Sequence, residues 1–176
     1  SIEDIPKLKK LDEFNLLMIE QPFGERQFIE HAILQKEIST PVCLDESICS
    51  LEDVKIAYEL NACEIITVKP GRVGGLTKSI EIHDYCVEKN IPIWVGGMIE
   101  TGISRIQNVA LASLPGFTIP GDISSSSRHW EHDLIFPEVA LINGKVKVPD
   151  GPGLGVEVDE ERIKSISKKI YKYTSQ

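Results

Sequence analysis

Three charged residues stand at the ends of short apolar segments that each have the pattern of a β-strand. They are Glu20 in LLMIEQP, Asp45 in PVCLDES and Lys69 in IITVKPG. The intervals between them, 25 and 24 residues, fit one strand, one loop, one helix and one loop, repeated. Parallel α/β barrels gather the C-terminal ends of their strands around one mouth, where active sites are built. We therefore expect the three side chains to converge.

Two of these residues have the chemistry of metal ligands. Carboxylate oxygens are hard donors, and Mg²⁺ takes a few of them together with waters and substrate oxygens. Glu20 and Asp45, at the ends of adjacent strands, therefore predict a divalent-metal site. The spacing alone leaves another interpretation open, in which both carboxylates form ion pairs with lysines or arginines at the rim of the barrel.

Lys69 has the position of a proton carrier beside that site. A lysine at the end of an apolar strand is partly desolvated, which favours the neutral amine that acid–base catalysis uses. An ion pair with Asp45 or Glu20 is the alternative. The following sequence GRVGG matches neither the dinucleotide-binding pattern nor the P-loop pattern, so we interpret it as a βα turn. Arg72 in that turn is then a rim residue or a ligand for a substrate carboxylate.

The segment GGMIETG begins at the end of a predicted strand without charges. Its two glycines leave space for a ligand and its backbone amides can face one, so Gly97, Met98 and Ile99 are predicted to bind substrate. Glu100 fits a helix cap as well as it fits a ligand. Asp122 ends the last predicted barrel strand, and we expect it to support the site through hydrogen bonds.

The elements that would position these residues alternate strictly between strand and helix. Five strand patterns and at least four linking helix patterns are typical of a parallel sheet, either doubly wound or closed into a barrel. The predicted strands are residues 15–20, 41–45, 64–69, 91–97 and 116–122. The predicted helices are residues 2–13, 28–38, 51–58, 76–88 and 103–111.

A barrel is favoured over a doubly wound sheet. The charged residues end successive strands, whereas a doubly wound sheet binds its ligand at one switch point. A closed eight-stranded barrel needs about 250 residues, and this chain of 176 residues holds five barrel strands. An open sheet would leave two long edges, which natural proteins avoid. We therefore expect another segment to complete the barrel; the alternative is a shorter doubly wound domain.

The last part of the chain has a different pattern. A serine-rich polar loop leads to a predicted hairpin with Asn143 and Gly144 at its turn. Asp159 is expected to cap a closing helix that carries Ile163, Ile166, Ile170 and Tyr173. The sequence thus predicts two domains, with residues 1–124 as the barrel part and residues 125–176 as a tail.

Charge and composition exclude several classes of partner. The net charge is −8 and no basic stripe offsets it, which argues against nucleic acid. No segment approaches a membrane span and the N-terminus is not a signal peptide, so we expect no membrane partner. The four cysteines form no CxxC pair, which favours reduced thiols in a cytoplasmic protein. The chain also begins without methionine inside a helical pattern, so we expect a piece of a longer protein.

Several motifs of this chain occur in the same order in a known family. MIEQP, CLDES, ITVKPGRVGG, WVGGMIETGI and LASLPGFTIPGD, between about Leu16 and Asp122, resemble the enolase superfamily. Within it they are similar to the branch that contains o-succinylbenzoate synthase and N-acylamino acid racemase. The tail sequence GPGLGVEVD is similar to that branch too, so the resemblance covers most of the chain.

This resemblance implies a fold and a set of ligands. The fold is a partial TIM-type (β/α)7β barrel, to which this chain contributes strands four to eight and a tail that packs on the barrel and on a capping domain. Mg²⁺, with Mn²⁺ as an alternative ion, would be held by three carboxylates. Glu20 matches the ligand on the fourth strand, Asp45 matches the ligand on the fifth, and Lys69 matches the acid–base lysine on the sixth.

Some parts of the family's site have no counterpart in this sequence. They are the first metal ligand, an aspartate on the third strand, the second lysine, on the second strand, and the N-terminal capping domain. The chain therefore resembles the C-terminal portion of such an enzyme, inactive alone, with the missing N-terminal barrel strands and capping domain as partners. The branch also implies a homo-oligomer and a small-molecule carboxylate as substrate.

The implied reaction is a magnesium-dependent syn-dehydration that gives o-succinylbenzoate, a step toward menaquinone, through an enediolate intermediate. The second lysine would abstract the α-proton, and Lys69, on the opposite face, would stabilise the intermediate as a cation. Within the family, an N-acylamino acid racemase or a muconate-type cycloisomerase on the same site is the alternative. Outside it, the alternative is a non-catalytic α/β binding or assembly module with Glu20, Asp45 and Lys69 in rim ion pairs.

Overall fold

The computed structural model describes residues 1–169 and residue 171 of the chain. The chain forms two compact units. One, here called the sheet unit, comprises Ser1–Gly96 and Leu111–Asp122, and the other, the tail unit, comprises Gly97–Ala110 and the chain from Ile123 onward. The predicted division after residue 124 stays a prediction.

Strands and helices follow the alternation that the sequence predicts. The strands are β1 (Ile19–Glu20), β2 (Val42–Leu44), β3 (Ile65–Val68), β4 (Ile93–Val95), β5 (Ile135–Phe136) and β6 (Glu157–Val158). The helices are α1 (Ile5–Leu8), α2 (Phe28–Glu37), α3 (Leu51–Leu60), α4 (Pro70–Val73), α5 (Leu76–Lys89), α6 (Gly102–Ala112) and α7 (Glu160–Ile166).

The sheet unit is organised around four parallel strands in the order β1-β2-β3-β4. Every residue of β2, β3 and β4 is buried, as expected for a parallel sheet that is covered on both faces. Neighbouring strands pair at Glu20 with Cys43, at Cys43 with Ile65 and at Thr67 with Trp94. The parallel sheet confirms the predicted α/β class.

All five predicted strands are shorter in the structure, and the first and the fifth change most. The first is reduced to β1, because Asn15 has a left-handed backbone (φ 48°) that ends the preceding helical segment. The fifth, residues 116–122, makes an isolated bridge from Phe117 to Ile93. Pro120 lies in that segment and has no N–H to donate to a longer ladder.

The helices of the sheet unit begin and end at capping residues. The Ser50 hydroxyl accepts from the Asp53 amide at 3.2 Å and the Asp53 carboxylate accepts from the Cys49 amide at 3.1 Å, so these two residues cap the start of α3. Asn90 ends α5 in the left-handed conformation. The predicted helix over 2–13 is a series of short turns, with 3-10 geometry on either side of α1.

The sheet has two faces of different composition. One face carries fully buried aliphatic side chains: Val42, Leu44, Ile66, Val68, Ile93 and Val95. The other face carries a cluster of Cys43, Ile65 and Trp94. Trp94 Nε1 donates to Cys43 Sγ at 3.4 Å, and Cys43 Sγ lies 3.3 Å from Thr67 Oγ1. This second face leads to the candidate site.

The tail unit has a polar centre that is buried. Arg105 is 1% exposed and donates to the carbonyl oxygens of Ser124 at 2.9 Å and Ser125 at 2.5 Å. Asp133 is buried as well and accepts from the Gly102 amide at 2.6 Å. Because each buried charge is satisfied by hydrogen bonds, this centre fixes the segments around α6.

Strand pairing in the tail unit differs from the prediction. The turn at Asn143 and Gly144 is confirmed, with φ values of 52° and 73°, but the predicted hairpin is an isolated bridge between Ile142 and Lys145. The longer antiparallel pairing joins β5 to β6. Sequence patterns did not predict it, since these two strands are far apart in the chain and have only two residues each.

The closing helix begins where the sequence predicts. The Asp159 carboxylate accepts from the Arg162 amide at 2.9 Å, which confirms the cap of α7. Ile163 and Ile166 lie on this helix. Ile170 and Tyr173, predicted to continue it, lie outside the described residues.

Candidate active site

Strand geometry places the three predicted residues on one face of the sheet. Side chains alternate between faces along a strand, and Glu20 and Cys43 are paired neighbours on β1 and β2. Asp45 lies two residues after Cys43, and Lys69 lies two residues after Thr67, whose hydroxyl contacts Cys43. Glu20, Asp45 and Lys69 therefore project from the same face, at or just after the C-terminal ends of their strands.

Asp45 is the centre of the charged group. Its residue is 3% exposed, and Lys69 Nζ donates to its Oδ2 at 2.7 Å. Arg72 Nη2 donates to its other carboxylate oxygen, Oδ1. The structure thus brings Asp45 and Lys69 into contact and shows the ion pair that the sequence left open as an alternative.

Arg72 reaches Asp45 because the GRVGG segment contains a helical turn. Pro70 begins α4, its fixed φ suiting the first helical position, and Gly74 ends the turn with φ 101°. The amide of Arg72 donates to the carbonyl oxygen of Lys69 at 2.9 Å, so both cations belong to one rigid turn. The sequence predicted a βα turn here but not the contact with Asp45.

Glu20 lies within electrostatic range of the same group. Partial burial raises the pKa of its carboxyl group, and the negative charge of Asp45 raises it further, whereas Lys69 lowers it. The charges of Glu46 and Asp122 also raise this pKa. Glu20 therefore carries repulsion from three neighbouring carboxylates that a single lysine does not cancel.

Asp122 lies at the edge of this charged group. Its amide donates to the carbonyl oxygen of Val95 at 3.1 Å, which holds the end of the fifth segment beside β4. The charge of Asp122 is one of those that raise the pKa of Glu20. Its supporting role through hydrogen bonds stays a prediction.

Gln21 was not singled out by the sequence, although it follows Glu20 directly. Its backbone has a φ of 40°, in the left-handed region, and its amide donates to the carbonyl oxygen of Cys43 at 2.8 Å. Its side chain accepts a hydrogen bond from the amide of Asp45 at 2.9 Å. The motif MIEQP includes Gln21, but the motif does not indicate the contact between Gln21 and Asp45.

Gly96 makes room for the Lys69 side chain. A Cβ atom at Gly96 would lie 2.5 Å from Lys69 Cε and 2.6 Å from Thr67 Cγ2. The first glycine of the predicted ligand-binding segment thus serves the packing of Lys69. Periodicity could not reveal this, since the requirement comes from a neighbouring strand.

The predicted substrate-binding residues Gly97, Met98 and Ile99 belong to the tail unit. Met98 is 60% exposed and Ile99 is 79% exposed, so their side chains are accessible. Their role in binding substrate stays a prediction.

Glu100 pins this loop to the start of α6. Its carboxylate accepts from the Met98 amide at 3.2 Å, from Ser104 Oγ at 2.7 Å and from Asn108 Nδ2 at 2.7 Å. These three partners are a loop amide and two side chains of α6, not backbone amides of the first helical turn, so both interpretations that the sequence allowed for Glu100 stay predictions.

The donor set of the sheet unit fits a hard divalent cation. Among residues 1–169 and 171, no three or more His, Cys, Asp or Glu side chains are grouped so that they could hold a metal ion. Glu20 and Asp45 supply two carboxylates, and Mg²⁺ commonly takes one or two with waters and substrate oxygens. A cation near both would relieve the repulsion that raises the pKa of Glu20.

Two further observations concern the helices and the cysteines. In the part that the structure describes, helices are too short or too polar to cross a bilayer. The four cysteines are free thiols, and burial raises the pKa of Cys43 to about 11.

Comparison with known proteins gives one family and close relatives. Residues 3–162 match the family described as enolase C-terminal domain-like. An o-succinylbenzoate synthase from Bacillus subtilis is 53% identical over 98% of this chain and 47% of that protein. An N-succinylamino acid racemase from an Amycolatopsis species is 48% identical over 95% of this chain and 45% of that protein.

Structural similarity leads to the same group. A crystal structure of a member of the enolase superfamily from Listeria innocua is 43% identical and superposes with a TM-score of 0.92. The match covers 96% of this chain and 46% of that one. The chain spans about half the length of the curated relatives it matches.

Proposed function

The chain belongs to the enolase C-terminal domain-like family, and from this membership we propose that it forms the C-terminal part of an o-succinylbenzoate synthase. Membership also confirms the predicted fold, a partial TIM-type barrel. The reaction is the dehydration of 2-succinyl-6-hydroxy-2,4-cyclohexadiene-1-carboxylate. An α-proton and the ring hydroxyl leave as water, and the new double bond makes the ring aromatic.

Two carboxylates of this chain would hold the cation. Glu20 and Asp45 would bind Mg²⁺, or Mn²⁺ in its place, through oxygens at the ends of β1 and β2. The bound ion supplies positive charge that stabilises the charge developing on the substrate carboxylate. Asp45 has two oxygens with several lone pairs, so it can bind a cation while accepting from Lys69 and Arg72.

Lys69 would act on the face of the substrate beside β3. Its Nζ donates to Asp45 Oδ2 at 2.7 Å, so its position is fixed before substrate arrives. A fixed cation next to developing negative charge stabilises the enediolate without reorganisation. The second lysine, which would remove the α-proton, and the third carboxylate would come from sequence outside this chain.

The observation that carries the proposal is the contact between Lys69 and Asp45. These residues lie 24 positions apart in sequence, yet their side chains meet at 2.7 Å on one face of the sheet. The identity of 53% to an o-succinylbenzoate synthase adds the reaction class. The same proposal covers the complete enzyme. It would contain the remaining barrel strands and a capping domain, and it would be homo-oligomeric and cytoplasmic.

An N-acylamino acid racemase is the second candidate. The relative at 48% identity carries the name N-succinylamino acid racemase, and the same site suits that reaction. Two lysines on opposite faces would then exchange the α-proton, one removing it and the other returning it. Assays with both substrates separate the two activities.

The test uses the complete enzyme that contains this chain. We expect Asp45→Asn and Glu20→Gln to weaken Mg²⁺ binding in calorimetry and to reduce turnover by more than about a hundredfold. Glu59→Gln is the control, since Glu59 is an exposed acid near the C-terminal end of α3 and its loss should leave both quantities unchanged. Turnover of neither substrate by the wild type, or full turnover by Lys69→Ala, would contradict the proposal.

A further inference from the structure

The side chain of Gln21 joins the ends of β1 and β2. Its Oε1 accepts from the Asp45 amide at 2.9 Å and from the Ser47 amide at 3.3 Å. Its Nε2 donates to Ser47 Oγ at 2.8 Å and to the Phe23 carbonyl oxygen at 3.1 Å. The side-chain amide of Gln21 therefore forms hydrogen bonds to the turn after β2 and to its own loop at the same time.

The partners determine which way this amide points. The backbone N–H groups of Asp45 and Ser47 are donors and require an oxygen, whereas the carbonyl of Phe23 is an acceptor and requires the NH2 group. A glutamate at this position would keep the first pair of bonds and would turn an oxygen towards the Phe23 carbonyl. The contacts thus select glutamine over its charged isostere.

The backbone of Gln21 is held in a conformation that glutamine seldom adopts. Its φ of 40° lies in the left-handed region, which is unfavourable for residues with a Cβ atom. Such strain persists where the surrounding contacts over-determine it. Here the amide bonds to Cys43 on one side and the side chain bonds to the turn after β2 on the other.

The loop that carries Gln21 is anchored at its far end. Phe23 is buried, and its amide donates to Nε2 of the fully buried His31 at 3.2 Å. His31 Nδ1 lies 2.7 Å from the carbonyl oxygen of Gln27. The position of the Gln21 side chain is therefore set from both ends of its loop.

We propose that Gln21 is a positioning residue that sets the separation of the Glu20 and Asp45 carboxylates and thereby the affinity of the site for its divalent cation. This inference rests on the proposed function, in which those two carboxylates hold Mg²⁺. Gln21 acts through the backbone of Asp45. Asp45 is thus held both at its amide, by Gln21, and at its carboxylate, by Lys69 and Arg72.

Two variants separate positioning from folding. Gln21→Gly removes the side chain and suits the left-handed backbone, whereas Gln21→Ala removes the same bonds and keeps the strain. In the complete enzyme we expect the glycine variant to melt at the higher temperature of the two. Both variants should lose about tenfold to a hundredfold in Mg²⁺ affinity by calorimetry, because supporting contacts of metal ligands have effects of that size.

Gln27→Ala is the matched control. The Gln27 side chain accepts from the Gly24 amide at 2.8 Å, so its removal breaks a hydrogen bond in the same loop. We expect this control to lower the melting temperature and to leave the Mg²⁺ affinity unchanged. Hydrogen exchange should become faster at the amides of Asp45 and Ser47 in both Gln21 variants and stay at the wild-type rate in the control.

The outcomes that overturn the inference are distinct from those that overturn the proposed function. Wild-type affinity in both Gln21 variants overturns the inference alone. A loss of Mg²⁺ affinity that parallels the loss of melting temperature also overturns the inference. In that case the alanine variant would bind Mg²⁺ far more weakly than the glycine variant. A wild-type enzyme that neither binds Mg²⁺ nor turns over either substrate overturns both together.

Discussion

At the scale of single residues, Asp45 reconciles two interpretations that the sequence left open. It forms ion pairs with Lys69 and Arg72, and it is also the ligand that we propose for Mg²⁺. A carboxylate has about four lone-pair sites, so two hydrogen bonds leave one or more free for a cation. The ion pairs therefore hold the ligand in place, and their presence does not compete with the metal interpretation.

Gly96 gives a direct test of how tightly Lys69 is placed. A methyl group at this position would overlap Lys69 and the fully buried Thr67, so Gly96→Ala must displace the lysine. We expect kcat of the complete enzyme to fall by about tenfold or more, since small displacements of reacting groups are costly. Overpacking should also lower the free energy of unfolding by about 1–3 kcal/mol.

The control for Gly96 is another glycine of the sheet unit. Gly71→Ala adds the same methyl group where a Cβ atom meets nothing within 4 Å, so activity should be retained. Steady-state kinetics and urea denaturation of both variants provide the measurements. Equal activity of Gly96→Ala and Gly71→Ala would show that Lys69 is placed by other contacts.

Whether a residue of the site could be predicted depends on whether the local sequence or a contact between strands determines its role. Glu20, Asp45 and Lys69 stood out because each ends an apolar strand, a local pattern. The local sequence did not predict the contacts of Arg72 and Gln21, because these contacts form only when separate strands lie side by side. The sequence therefore yields the charged residues of the site more readily than their supports.

At the scale of elements, the long periodic helices were predicted well and the short elements were not. α2, α3, α5 and α6 lie within a few residues of their predicted ranges. The helical turn α4 and the pairing of β5 with β6 were missed, since four-residue and two-residue elements carry too little pattern. Their stability comes from tertiary contacts, which periodicity does not record.

Within the sheet unit, the Asp12 carboxylate joins the N-terminal turns to the segment before β2. Asp12 accepts from the amides of Ser39 at 3.0 Å and Thr40 at 2.9 Å, and from Thr40 Oγ1 at 2.7 Å. The hydrogen bonds from Ser39 and Thr40 lower the pKa of Asp12 to about 2. This element is thus held to the segment before β2 by an ionised group.

The Asp12 contact should make stability depend on pH. Because the pKa is lower in the folded state, the stabilisation is complete above the unfolded value and is lost as pH falls towards about 2. Asp12→Asn should therefore lower the melting temperature at pH 6, and the difference from wild type should shrink between about pH 4 and pH 2. Thermal unfolding followed by circular dichroism measures it.

A neighbouring acid serves as control for Asp12. Glu13 is exposed, and Glu13→Gln should leave the melting temperature close to that of wild type at each pH. A difference between wild type and Asp12→Asn that is constant from pH 6 to pH 2 would contradict the assigned role of ionised Asp12.

At the scale of the whole molecule, the fold was predictable and the pairing of its last segments was not. The repeated interval between charged strand ends indicated a parallel α/β sheet, and the ordered motifs indicated the enolase superfamily. The position of the fifth segment, by contrast, is set by a short contact with β4 instead of a ladder. A proline and two glycines in that segment explain why its pattern overstated the strand.

Removal of the metal should be visible in the stability of the complete enzyme. A ligand that binds the folded state at a hundred times its Kd stabilises it by about 2.7 kcal/mol. We therefore expect Mg²⁺ to raise the melting temperature by several degrees and EDTA to reverse the rise. Asp45→Asn should show neither effect, and an equal rise in that variant would place the bound ion elsewhere.

The face of the sheet that carries Cys43, Ile65 and Trp94 also allows this chain to be followed by fluorescence. Trp94 is buried and contacts Cys43, which lies two residues before Asp45. The other tryptophan, Trp130, is 36% exposed. With Trp130→Phe, the fluorescence of this chain would come from an indole in a dry environment. A shift of its emission to longer wavelength would then signal water reaching the face of the sheet that carries Asp45 and Lys69.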